Sequence, residues 1–183
     1  MMMRKIFALV GAGALLLSIV PAALAASPVV PPSKSSGTIV GIASSMPQTF
    51  STLVEAVGCA DPAVAVALTS GEQLTVFAPT NAAFAELLNA LGTNDICDLP
   101  KSVVTQVLLY HVEAGRHFSN SVLPKKAGQM KTIDTLLGQS FRVDAGGAIT
   151  TTGGITTPHI VAANIPATNG VIHVLDAVLV PTL

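Results

Sequence analysis

The 183-residue chain has no tryptophan, one tyrosine and two cysteines, and only 10% of its residues are charged. Each shortage excludes something. With so few aromatics, the core has to be built mainly from valine, leucine, isoleucine and alanine. Nine lysines and arginines make no basic patch; beyond Arg4-Lys5, the only adjacent pair is Lys125-Lys126. Nucleic acid, whose phosphates demand many such contacts, is therefore not an expected partner. There is no C-x-x-C redox motif. G-x-S-x-G, H-E-x-x-H, G-x-G-x-x-G and P-loop patterns are all missing, which removes the common nucleophilic, zinc and nucleotide-binding signatures. Arg-Gly-Asp is absent, as is any Asn-x-Ser/Thr sequon. Ten acidic residues are scattered without a spacing that brings two carboxylates face to face, as glycoside hydrolysis requires.

What is present begins with an export signal. Arg4 and Lys5 precede an apolar run from Ile6 to Val20, and Ala23-Leu24-Ala25 fits an A-x-A cleavage site. The run is shorter than the roughly 20 residues that span a bilayer; a retained anchor is the alternative reading. The expectation is a protein cleaved after residue 25 and released, secreted or periplasmic, with no membrane span in its mature form. Removing Arg4 and Lys5 leaves seven basic and ten acidic residues, a net charge of −3. Residues 26–37 are rich in proline and serine and read as a flexible leader, or as a remnant with no role. Residues 38–183 then suit one domain. In an oxidising compartment Cys59 and Cys97 are expected to form a disulfide; two free thiols are the alternative.

Phe50, Leu53, Val54 and Val57 recur at helical spacing before Gly58. Asp61-Pro62 reads as a cap and first turn of a short helix. Leu74 to Ala78 reads as a buried strand ended by Pro79. Thr80 or Asn81 caps a helix with a face of Phe84, Leu87, Leu88 and Leu91. Asp98 and Pro100 open another helix, with a face of Leu99, Val103, Val107 and Tyr110. After Gly115 the pattern turns to strands: a hairpin over Phe141–Val143 and Ala148–Thr150, a strand from His159 to Ala163, and an Asn169-Gly170 turn. The longest strand is expected from Val171 to Val180, apolar on both faces and so buried on both. Helices first and antiparallel strands after indicate an α+β fold.

Four histidines merit a hearing as ligands or bases. His111 and His117 are six residues apart, so one helical face does not carry both, and zinc needs three or four converging ligands. No metal site and no cofactor are expected. His173, inside an apolar strand, reads as a core histidine with a hydrogen-bond partner.

Three segments together resemble the fasciclin domain: Thr75-Val76-Phe77-Ala78-Pro79-Thr80-Asn81-Ala82-Ala83-Phe84, then Tyr110-His111, then Asn169-Gly170-Val171-Ile172-His173-Val174-Leu175-Asp176 through Pro181. The resemblance covers about Thr38 to Pro181. It implies a helices-on-β-wedge domain, non-catalytic, that binds a cell-surface or matrix protein or polysaccharide as a monomer or weak homo-oligomer. The family's Tyr-His pair, flanked here by Leu108, Leu109 and Val112, is implied either to order the packing or to mediate adhesion. Thr75, Phe77, Pro79, Thr80, Asn81, Phe84, Gly170, His173, Asp176 and Pro181 are the implied structural motif positions. Many family members carry an acidic residue where this chain has Asn81. A carrier for a small apolar ligand such as a lipid, held between helices and sheet, is the alternative function.

Overall fold

A computed structural model describes residues 37–154 and 156–182. The export signal and almost all of the leader lie outside the described residues.

Among the described residues, six helices and seven strands follow one another as α1 (Ile39–Ser45), α2 (Pro47–Cys59), α3 (Pro62–Thr69), β1 (Leu74–Pro79), α4 (Asn81–Leu91), a 3-10 turn (Ile96–Asp98), α5 (Lys101–Tyr110), β2 (Val112–Ala114), α6 (Ser119–Val122), β3 (Met130–Asp134), β4 (Ser140–Asp144), β5 (Ile149–Thr150), β6 (Ile160–Ala167) and β7 (Gly170–Leu175). The class is α+β, as read. Four strands form one sheet in the order β2-β1-β7-β6, and three form a second in the order β3-β4-β5. The first sheet is mixed: β1 runs parallel to β7, with Leu74 opposite Gly170 and Pro79 opposite Leu175. That corrects the all-antiparallel expectation. Local hairpin signals describe neighbours in sequence, whereas this pair joins strands almost a hundred residues apart, which no turn residue announces.

Local chemistry explains most boundaries. Thr38, Asp61 and Thr80 cap their helices, accepting hydrogen bonds from the N–H groups of Gly41, Ala63 and Ala83. Gly92 closes α4 at a left-handed φ of 75°. Asn81, the other candidate cap, acts elsewhere: its Oδ1 accepts from Thr52 N–H at 3.1 Å and its Nδ2 donates to Pro47 C=O at 3.0 Å. It therefore clamps the first turns of α2 to the start of α4. A carboxylate there could accept the Thr52 bond but could not donate the second.

Four expectations need correction. Helix α2 continues through Gly58 to Cys59. Asp98 belongs to the 3-10 turn, and α5 starts only after Pro100. Its buried face is Val104, Val107, Leu108 and Tyr110, so Leu99 and Val103 are only half-buried, and in α4 Leu91 is 51% exposed. The last strand stops at Leu175, and β6 is the longest strand. Asp176 still donates its N–H to the His159 carbonyl at 3.2 Å, but its carboxylate takes the His159 N–H at 2.7 Å, and the Leu179 N–H is spent on the His111 ring rather than a ladder. Val178, Leu179 and Val180 are nevertheless buried, so the apolar run reflects core packing beyond the strand.

The hairpin turn is Thr168-Asn169, with Ala167 paired to Gly170. Buried Asn169 accepts from Ile39 N–H and donates to Leu68 C=O, both at 2.8 Å, tying α1 and α3 to the turn. Gly170 is required by close approach: any Cβ there would collide with the Leu74 carbonyl. The disulfide joins Cys59, at the end of α2, to Cys97 in the 3-10 turn, with Cα atoms 5.5 Å apart.

The core has two parts. One lies between the helices and one face of the mixed sheet, and is built from aliphatic residues plus Phe50 and Phe84. The other lies between the two sheets, around Phe77, Tyr110, Phe141 and Leu179.

Candidate functional site

Tyr110 and His111 sit where α5 ends and β2 begins, and point into different halves of the core. Tyr110 is fully buried, packed edge-to-face on Phe141 with ring centroids 5.7 Å apart. Its hydroxyl donates to the Ser140 carbonyl at 3.1 Å and lies 3.3 Å from Thr152 Oγ1. A helix-end residue thereby fixes β4 and the loop after β5. The burial of a phenol is tolerated because its one polar group is paired.

His111 is 2% exposed. Its Nε2 lies 2.9 Å from the Leu179 N–H, a group that can only donate, so Nε2 is the acceptor. Nδ1 then carries the proton and donates to the Val107 carbonyl at 2.6 Å. Both ring nitrogens are satisfied by backbone of two distant segments in the neutral tautomer. Burial lowers the pKa to about 4, partly offset by the Val107 bond. The His111 carbonyl also accepts from the Phe77 N–H at 2.9 Å. Of the flanking residues Leu108 and Val112 are buried, and Leu109 is half-buried on the outer face of α5.

The remaining motif residues surround this pair. Thr75, Phe77, Pro79, Phe84, His173 and Pro181 are buried. Thr75 Oγ1 donates to Gly115 C=O at 2.8 Å and accepts from His117 N–H at 2.9 Å, holding the loop after β2. His173 stacks on Phe77 at 5.5 Å, and its Nε2 donates to the His117 carbonyl at 3.0 Å. Its Nδ1 is buried without a partner among the described residues. Burial lowers its pKa too. Asp176 and His159 are about half-exposed, with His159 Nδ1 3.7 Å from Asp176 Oδ2.

The four histidines thus face separate surroundings: His111 the helical core, His173 the inter-sheet core, His117 the β2 edge beside Glu113 at 3.8 Å, and His159 solvent beside Asp176. Glu113 is half-buried and its pKa is raised chiefly by desolvation, an effect that His117 and Lys131 oppose and Asp134 reinforces. Glu55, Asp95 and Cys97 converge at the surface, but the cysteine sulfur is committed to its disulfide. Sequence reasoning missed the partners that give the Tyr-His pair its meaning. Ser140, Thr152 and the Leu179 N–H carry no local signal, because two of those groups are backbone and all are distant in sequence.

A neutral, doubly bonded histidine beside a tyrosine that joins two sheets defines a packing hub in an α+β domain. Comparison with known proteins gives the family. The fasciclin domain model matches residues 47–181, and the chain belongs to that family. A Synechocystis protein is 37% identical over 81% of this chain and 76% of its own length. Immunogenic protein MPT70 of Mycobacterium tuberculosis is 34% identical over 62% of this chain, which spans 52% of that protein. Fasciclin-1 of Schistocerca americana is 31% identical over 61% of this chain, but only 17% of that larger protein is covered. The fold matches the solved FAS1 domain pair of the insect cell adhesion molecule Fasciclin I with a TM-score of 0.54, at 19% identity, over 72% of this chain and 45% of that one. Among the described residues, no helix is long and apolar enough to cross a membrane.

Proposed function

We infer that this chain is an exported, non-catalytic recognition module that holds a cell-surface or matrix protein or polysaccharide through its outer faces. The observation that carries the reading is membership of the fasciclin family, one of whose solved structures comes from an insect cell adhesion molecule. The export signal read in residues 1–25 supports secretion to the periplasm or beyond. Tyr110 and His111 act in this reading as organisers of the surface and not as contact residues, since a partner cannot reach buried, satisfied groups. Leu109 is the member of the motif region that reaches the outside. It lies in an open groove of about 500 Å³ between α3 and α5, beside Asp61, Thr105 and Gln106. A single such groove binds weakly, and many copies on a surface turn weak contacts into firm attachment.

The test is attachment of beads coated with protein beginning at Ala26 to producer cells, candidate host cells and matrix polymers. Wild-type beads attach selectively. Leu109→Glu abolishes attachment without lowering the melting temperature, whereas His111→Ala lowers attachment only in proportion to the fraction unfolded. Attachment by none of the surfaces, from a well-folded protein, refutes the reading.

A further inference from the structure

The turn before β7 carries a chemical liability that the fold has to contain. Among the asparagines of the chain, only Asn169 is followed by glycine. In such a pair the glycine backbone nitrogen can attack the asparagine Cγ, because no side chain crowds its approach. A bond from that nitrogen to Cγ forms and the Cγ–Nδ2 bond breaks. Ammonia leaves, taking up the proton that the glycine nitrogen gives up, and a cyclic imide remains. Water then opens the imide and leaves a carboxylate, as aspartate or as isoaspartate with the main chain rerouted through the side chain. Water and hydroxide are the only other reactants.

Neither residue is free to change. A Cβ at position 170 would collide with the Leu74 carbonyl, which parallel pairing with β1 brings alongside. Asn169 Oδ1 accepts from the N–H of Ile39, the first residue of α1, and Nδ2 donates to the carbonyl of Leu68, in the last turn of α3, both at 2.8 Å. Both are helix-end groups without a partner in their own helix. One amide, offering a donor and an acceptor, therefore closes two helices at once. The Asn169 carbonyl is held too, accepting from the Leu74 N–H at 3.0 Å. The side chain is only 6% exposed. While this clamp is shut the amide is kept from reaction, since ring closure takes Nδ2 from Leu68 and turns Oδ1 away from Ile39.

We propose that Asn169 is a self-modifying site: opening of α1 and α3 from the turn releases its amide to the Gly170 nitrogen, and the carboxylate that results prevents the turn from closing again. The carboxylate can still accept from Ile39 but cannot donate to Leu68. It leaves a buried carbonyl unpaired and puts a charge where almost no water reaches. The pair thus keeps an irreversible record of openings in the helical half of the fold. The inference does not depend on surface attachment.

The experiment follows conversion of Asn169 by peptide mass spectrometry in the full exported chain, disulfide intact, in mildly alkaline buffer with and without urea. In urea Asn169 converts ahead of every other asparagine, and in native buffer it converts at least about tenfold more slowly, since two buried bonds must break. Thr38→Ala, which uncaps α1, speeds native conversion about fivefold. Val143→Ala, in the inter-sheet core, leaves the native rate unaltered. Asn169→Asp, the product itself, melts earlier than the wild-type chain. If that variant does not fold, Thr38→Ala, outside the pair, carries the test. Equal rates with and without urea overturn the proposal, as does another asparagine converting first in urea. So does an equal acceleration by Thr38→Ala and Val143→Ala, which would make global unfolding the gate, or an Asn169→Asp chain as stable as the wild type.

Discussion

The two halves of the core use different means to bury apolar surface. Between the sheets, Phe77, Phe141 and Tyr110 meet edge-to-face at 5.1 and 5.7 Å, and planar rings of large volume fill the space. Beneath the helices only Phe50 and Phe84 join the aliphatic residues, and a cleft of about 200 Å³ lined by Phe84, Leu87, Leu91, Leu99, Val103 and Val180 is left over beside α5. A chain with one tyrosine and no tryptophan places three of its few rings where two sheets must be held at a fixed distance. It leaves the side where short helices can shift slightly to smaller residues. Tightness in this fold is thus a local property, greatest where three rings meet edge-to-face, and the Tyr-His pair is the joint between the tight half and the looser one.

The comparison predicts a graded set of outcomes. Tyr110→Ala gives the largest loss, roughly 4 kcal/mol in urea unfolding, since it opens a cavity in the tight half and strips the Ser140 carbonyl of its donor. A loss below 1 kcal/mol would mean that the inter-sheet core is not tight. Replacing both cysteines by serine costs somewhat less than or about 4 kcal/mol, the chain-entropy value for a separation of 38 residues. That staple spans the looser half, and equal stability with and without reductant would remove it from the account.

Acid acts on both halves. His111 is neutral when folded, with a pKa of about 4, against 6.5 when unfolded. Between those values the unfolded chain binds more protons, so stability falls as pH drops from about 6.5 towards 4, by roughly 3 kcal/mol from His111. His173 contributes in the same direction. Glu113, whose pKa is raised, acts oppositely: its contribution weakens the fold as pH climbs above its ordinary value. Urea midpoints at pH 7.5 and 5 measure the sum, and His111→Gln should flatten the curve; an unchanged slope would place the proton elsewhere. The smallest effect is a gain. Val103→Ile, adding one methyl to the cleft, should raise stability by about 0.5–1 kcal/mol, whereas the same enlargement at Val143 in the tight half should lower it.

Much of this was legible from residues alone. Capping chemistry marked α3 and α4, because Asp61-Pro62 and Thr80 act within one turn of themselves. The three family segments identified the fold. Signals failed where the cause was remote. Val171 to Val180 reads as one strand because burial, not pairing, makes a run apolar, and the side-chain bonds at Asp176 and Leu179 reveal that the chain has left the sheet. Asn81 read as a cap, but it is a two-sided clamp whose second partner, Pro47, lies far back in the sequence. The Tyr-His pair was visible as a motif, yet its burial and its exact partners were not, since backbone acceptors have no letter in the sequence.

The parallel pairing of β1 with β7 also determines when the protein can fold. Register links Leu74 to Gly170 and Pro79 to Leu175, so the middle of the larger sheet stays open until its last strand has been made. β2, on the outer side of β1, cannot substitute for it. Local helices can form early, but the sheet that organises them closes across a loop of about ninety-six residues (170 − 74), an entropic cost paid before any ladder bond repays it. Assembly of that sheet is therefore slow: without Gly170–Leu175 it keeps only the β1–β2 pair, and β7 is the strand that joins β6 to it.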